Sequence, residues 1–213
     1  LQKIKDYGFD AVEYIDLYVP EGKTEEEYAR EIRAEADRLG LEISAYSLSC
    51  DLLNGSGGDL ERELERLYRK IDVAEILGAK IVRHDITPHP PKGYVGYVNL
   101  LPRFVEASRK LCDYAAAKGI RTCTENHGFI SQDSDRVERL FNAVAHDNFG
   151  LLVDGIVELV DIAVDSFNGF GKLVQNRNNA GKNGGSCFGF GKCGSKLGNF
   201  GKLFFKAEVF HIQ

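Results

Sequence analysis

The chain of 213 residues contains no methionine, no tryptophan and only five prolines. Opening on Leu1 with no methionine anywhere, it is expected to begin downstream of its natural start. Its five cysteines (Cys50, Cys112, Cys123, Cys187 and Cys193) include no CxxC pair and no zinc-knuckle spacing. An odd number without such spacing fits reduced thiols better than a disulfide framework, so a cytoplasmic setting is the expectation. No signal peptide is recognised and no apolar run approaches the ~18 residues that a membrane helix needs, so no membrane partner is expected. No GxGxxG follows the first predicted strand, which argues against a dinucleotide-binding sheet.

What is present is a rhythm of helix, glycine and strand. Leu1 to Gly8 reads as the end of a helix closed by glycine, followed by a strand from Phe9 to Ile15. Thr24 with Glu27 forms a capping-box pattern that opens a helix to Leu39, stopped by Gly40. A strand from Leu41 to Leu48 follows, then a Gly-rich loop. A helix from Asp59 to Leu77 shows apolar residues at Leu60, Leu64, Leu67, Ile71 and Ala74, an amphipathic stripe. Strand Lys80–Ile86, a Pro-rich loop, and a helix from Asn99 to Lys118 lead to a strand beginning at Ile120. Ser134 or Asp135 caps a further helix to Ala145, and Asn148–Asp154 is the fifth strand. Such units, spaced by roughly 30 to 40 residues, predict a parallel α/β sheet with right-handed crossovers.

Polar residues gather at the ends of the predicted strands: Glu13 and Asp16, Ser47 and Ser49, His84 and Asp85, Glu125 and His127, Asp154. Chemistry spread over many strand ends favours a closed barrel over an open sheet. In Arg121–Gly128, alternation puts Cys123, Glu125 and His127 on one face and Thr124 and Asn126 on the other. A carboxylate and an imidazole leaving a strand end together suit a metal or acid/base site. Asn54–Gly58 resembles a phosphate-cradling loop only loosely, lacking the lysine and following Ser/Thr of a P-loop, and reads as a flexible connection.

The segments YGFDAVEY, ADRLGLEISAYSL, ILGAKIVRHD, KGIRTCTENHG and FGLLVD, in this order and spacing, make Leu1 to Asp154 resemble the xylose-isomerase-like TIM barrel family. These are the sugar phosphate isomerases and epimerases related to the family-2 apurinic endonucleases. The resemblance implies an α/β fold, an incomplete (β/α)8 TIM barrel of about five parallel βα units, matching the family's second to sixth strands. It implies that Glu125 and Asp154 are metal ligands for Mn²⁺, Mg²⁺, Co²⁺ or Zn²⁺, and that Glu125 is also the catalytic carboxylate. The implied activity is isomerisation or epimerisation of a sugar or sugar phosphate by proton abstraction next to a carbonyl. The family's remaining His and Glu ligands, from its seventh and eighth strands, are not found here, so weak metal binding and little activity are expected. Within such a barrel, His84 is expected to face inward as a substrate contact, with Arg83 toward the helices. Glu13 is expected to line the pocket, and His127 to bind substrate or orient a carboxylate.

The charge balance changes abruptly after Asp165, where Lys172, Arg177, Lys182, Lys192, Lys196, Lys202 and Lys206 face Glu208 alone. The helix-glycine-strand rhythm stops and GFGK recurs at Gly169–Lys172 and Gly189–Lys192. Residues 155–213 are therefore expected to be an irregular tail foreign to the barrel, the product of a frameshift or a misplaced gene boundary. The partner expected is a small sugar; nucleic acid is not. Two alternatives stand beside the isomerase: a non-catalytic barrel remnant with a basic tail, and a protein like the family-2 endonucleases, for which this chain has too few well-placed histidines.

Overall fold

The protein is described by a computed structural model for residues 1–89, 93, 96–154 and 203–206. Strands β1 (Ala11–Ile15), β2 (Glu42–Leu48), β3 (Ile81–His84), β4 (Arg121–Glu125) and β5 (Phe149–Asp154) alternate with helices. The helices are α1 (Gln2–Asp6), α2 (Glu25–Leu39), α3 (Leu60–Leu77), α4 (Tyr97–Ala116), α5 (Gly128–Ser131) and α6 (Ser134–Val144). All strand pairings are parallel and follow chain order. The predicted α/β architecture of five parallel units is therefore present.

Local chemistry explains the boundaries. Thr24 accepts from the Glu27 backbone N–H at 3.2 Å while the Glu27 carboxylate accepts from the Thr24 N–H at 2.8 Å, completing the capping box. Three glutamates in the first turn of α2 meet the positive end of its dipole, and Gly40 in the left-handed region ends it. α6 departs from the expected start. Asp133 is its cap, accepting from Arg136 N–H at 3.2 Å, because a carboxylate at that position satisfies an otherwise unpaired donor.

The helices cover one face of the sheet. Val12, Ile43, Leu48, Val82 and Phe149 pack there against Ile32, Leu64, Leu67, Ile71, Phe104 and Leu111. The opposite, inner face carries a smaller apolar cluster of Ala45, Ile81, Cys123 and Leu152. One irregularity decides which residues of β2 face inward. Val12 pairs with Ile43 but Glu13 with Ala45, so a bulge at Ser44 shifts the alternation by one residue. Beyond it Ala45 and Ser47 point inward, Tyr46 and Leu48 outward.

A sixth strand, β6 (Leu203–Lys206), pairs parallel to β5, with Leu151 opposite Leu203 and Asp154 opposite Lys206. From sequence alone this tetrapeptide falls within the expected irregular tail. Its Leu-Phe-Phe core is strongly β-prone and β5 offers an edge to pair with. The expectation that residues 155–213 are foreign to the barrel otherwise lies outside the described residues. Among the described residues β1 and β6 do not pair, and no helix is long and apolar enough to cross a membrane.

Candidate functional site

The inner face is apolar in its lower layer and polar above. Glu13, Ser47, Arg83, Asp85 and Glu125 are all buried, brought together from β1, β2, β3 and β4 and the residue just after β3. Arg83 is the hub. Its Nε lies 3.1 Å from Ser47 Oγ and 3.2 Å from Glu125 Oε2, and one terminal nitrogen donates to Asp85 Oδ1 at 3.0 Å. Ser47 in turn donates to Glu13 Oε1. On the far side His127 Nδ1 sits 3.2 Å from Asp85 Oδ1, with the imidazole half-exposed. A continuous polar chain therefore runs from Glu13 to His127.

Two carboxylates, Asp85 and Glu125, share one guanidinium in this buried layer, and a third, Glu13, is linked to it through Ser47. Arginine suits that task because its planar fork donates in several directions at once and never loses its proton. The balance remains negative, and Glu13 Oε2 is buried with no hydrogen-bond partner. Such a face fits a cation better than an anion.

The candidate residues are placed as follows. Glu125 ends β4 on the inner face, with Leu152 of β5 beside it in register. Asp154 ends β5 two residues further on; its side chain lies outside the described residues. Glu13 is on the inner face, and His127 joins the same network through Asp85. Among the described residues, no group of three or more His, Cys, Asp or Glu is arranged to hold a metal.

His84 and Arg83 are reversed relative to expectation. His84 lies on the helix side, fully buried, with its ring 6.2 Å from that of Phe149 and Nδ1 3.1 Å from the Asp85 carbonyl oxygen. It is not a substrate contact on the inner face. The reason is register: Arg83 pairs with Cys123, which is inward, so His84 must turn outward. Arg83 is the residue of this inner-face network that the sequence pattern alone does not place. Charge balance held the missing signal, since buried acids from neighbouring strands favour a cation among them, and Arg83 stands beside Asp85 and Glu125.

Burial pushes the pKa of His84 down, so the ring stays neutral in the folded chain. The unfolded chain titrates this histidine near its ordinary value of about 6.5. Below that pH the unfolded state holds the extra proton, and stability rises with pH wherever that is so. Stability contributed by the neutral ring is therefore expected to fall as pH drops below about 6.5, with a limiting slope of about 1.4 kcal/mol per pH unit. His84→Asn keeps a donor for the Asp85 carbonyl but cannot titrate. Urea unfolding at pH 7 and 5.5 should show a smaller acid loss in this variant; an equal loss would reject the assignment.

Burial likewise pushes the Cys123 thiol well up, so it is no nucleophile. The Gly-rich loop is also explained. Ser56 Oγ donates to Glu63 Oε2 at 2.8 Å, and a Cβ on Gly55 would come within 2.6 Å of the Glu63 carboxyl carbon. The loop therefore wraps one of the chain's own carboxylates.

Gly128 fixes His127 beside Asp85. It has φ +76°, and a Cβ there would lie 3.2 Å from the Thr87 carbonyl oxygen and 3.3 Å from Pro88 Cα. Both the conformation and the close approach of the two loops require glycine. Gly128→Ala is expected to cost about 1–3 kcal/mol. Gly119→Ala, at φ +68° with nothing within 4 Å, is the control and should lower the melting temperature less.

A parallel sheet with helices on one face, and acids converging on the other at the strands' C-terminal ends, defines the α/β-barrel type of scaffold. The chain matches the model of the xylose isomerase-like TIM barrel over residues 1–156, and it belongs to that family. It is similar to a 3-keto-D-glucoside 4-epimerase from E. coli, with a TM-score of 0.62, 17% identity, and coverage of 83% of this chain and 68% of that one. It is similar to a D-psicose 3-epimerase solved in the presence of D-fructose, with a TM-score of 0.60, 17% identity, and coverage of 75% and 58%. A xylose isomerase-like TIM barrel protein from Mycobacterium smegmatis in complex with magnesium gives a TM-score of 0.55, 25% identity, and coverage of 70% and 53%. The chain thus spans little more than half the length of the last two. No curated protein matches it.

Proposed function

We propose that the protein is a divalent-metal-dependent sugar isomerase or epimerase, moving a proton on the carbon next to a carbonyl. The observation that carries this reading is the buried Glu125 carboxylate at the inner end of β4, held 3.2 Å from Arg83 Nε. The similar solved structures include sugar epimerases, and another is a complex with magnesium. The negative balance of the inner face and its hard oxygen donors fit such an ion, with Glu125 and Asp154 as its carboxylate ligands. When bound, the ion would polarise the substrate carbonyl and make the adjacent C–H more acidic.

The chain's own groups divide the remaining work. Glu125 takes the proton from carbon and returns it, its carboxylate oriented by Arg83. Asp85 holds His127 by Nδ1, leaving the other ring nitrogen to a substrate hydroxyl. Glu13, with one oxygen unpartnered, is the acceptor for a further hydroxyl or an intervening water. The burial of Glu125, Asp85 and Arg83 keeps bulk water from the proton in transit.

The test is deuterium incorporation. The full chain would be incubated in D₂O with D-fructose or D-tagatose, with and without Mn²⁺, and the C–H next to the carbonyl followed by NMR. Mn²⁺-dependent exchange supports the reading. A chain that neither binds Mn²⁺ nor exchanges that hydrogen favours the non-catalytic remnant instead.

A further inference from the structure

Among the described residues, five buried side-chain atoms have no hydrogen-bond partner: Glu13 Oε2, Asp16 Oδ1, His84 Nε2, Ser108 Oγ and Thr124 Oγ1. Glu13 belongs to the inner face, and Asp16 Oδ1 lies 3.4 Å from Lys70 Nζ. The other three come from β3, α4 and β4, and the fold brings them to one place behind the sheet.

The alignment of α4 on β4 is fixed near the turn they share. The Ile120 N–H donates to the Ala115 carbonyl at 3.0 Å, and Cys112 Sγ lies 3.1 Å from Thr122 Oγ1. From there helix and strand run alongside each other in opposite directions. Ser108 is one helical turn back from Cys112, about 6 Å along, and Thr124 is two residues on from Thr122, about 6.6 Å along. Each keeps the face of its neighbour, so Ser108 comes to stand over Thr124. β3 adds the third group. Arg83 pairs with Cys123, and one step further the same register sets His84 beside Thr124, both turned toward the helices. His84, Ser108 and Thr124 are each at most 1% exposed, so bulk solvent does not satisfy them.

We propose that one internal water is bound between α4 and the β3–β4 pair, donating to His84 Nε2 and bonded to the Ser108 and Thr124 hydroxyls. The Asp85 carbonyl oxygen, 3.1 Å from His84 Nδ1, can only accept. Nδ1 therefore carries the proton of the neutral ring and Nε2 is left an acceptor, while each hydroxyl can donate or accept. Buried polar groups are nearly always hydrogen-bonded, to protein or to ordered water, and a buried water typically makes about three such bonds. The site ties α4 to the backs of the two strands that carry Arg83 and Glu125 on their other face. It stands on hydrogen-bonding capacity and register, independently of the sugar reading and of any ion on the inner face.

The sign of one substitution tests this. Thr124→Val replaces the hydroxyl by a methyl of the same shape. Where the hydroxyl holds a water, the folding equilibrium constant from urea unfolding should fall by about fivefold to tenfold. Where it is an orphan, the same change removes a buried polar group at no loss, and the constant should stay the same or rise; either result overturns the proposal. Ser108→Ala combined with Thr124→Val should be non-additive, because the two residues share one ligand, whereas strict additivity counts against it. A high-resolution crystal structure of the full chain provides the direct check. An isolated oxygen within hydrogen-bonding distance of all three atoms supports the site. A hydroxyl bonded straight to His84 Nε2, or close packing there with no water, overturns it.

Discussion

Replacing Arg83 with methionine is expected to destabilise the fold by about 3–5 kcal/mol, the cost of removing one partner from a buried ion pair. The methionine would fill much of the space, so loss of packing is not the main term. What remains is two carboxylates, Asp85 and Glu125, less than a tenth exposed and without their counter-charge. Each would have to take up a proton or draw in water, and both responses cost free energy. Arg83→Lys restores a charge but not the fork that reaches Ser47, Glu125 and Asp85 together, so partial recovery is expected. Urea denaturation of the three proteins at pH 7 measures the series. A loss below about 1 kcal/mol for Arg83→Met would mean that the buried carboxylates do not depend on this arginine.

Glu125→Gln should give the opposite pattern, with little change in stability and a large change in chemistry. Arg83 keeps Asp85 and Ser47 as partners, so the buried charge stays compensated. The amide cannot take a proton from carbon and is a weaker ligand for a hard cation. On the proposed mechanism, hydrogen exchange next to the substrate carbonyl should fall by about a thousandfold, some 4 kcal/mol of transition-state stabilisation. Mn²⁺ affinity, followed by water-proton relaxation, should fall in parallel. Exchange at the wild-type rate in a folded Glu125→Gln protein would remove this residue from the mechanism. The two substitutions together separate holding the site together from performing its chemistry.

Elements set by local rules were legible in the residues alone. The Thr24 capping box, the Gly40 and Gly78 stops and the α3 stripe of Leu64, Leu67, Ile71 and Ala74 depend on neighbours within a few positions. Together with the recurring alternation of helix and strand, they define a parallel α/β unit, and with it the strand ends where polar residues collect. The identity of Glu13, Glu125 and His127 as inner-face groups also followed from strand position. The start of α6 was missed by one or two residues because Asp133, Ser134 and Asp135 are all plausible caps and only the fold chooses among them.

Facing and pairing were decided elsewhere. Lys80-Ile81-Val82-Arg83-His84-Asp85 has no apolar-polar alternation, so nothing within it says whether Arg83 or His84 turns inward. The pairing of β3 with β4 settles that, through Arg83 opposite Cys123. In β2 the bulge at Ser44 shifts the inward set to Ala45 and Ser47, and it exists only because β1 lies alongside. β6 is a strand because β5 offers it a ladder of unpaired backbone groups, not because four residues in a Gly- and Lys-rich stretch announce one. By itself, then, the sequence determined the repeating unit and which acids stand at its strand ends. Only the tertiary structure decided which cation stands among them, because hydrogen-bond register and charge compensation between strands belong to pairs of segments that no single segment encodes.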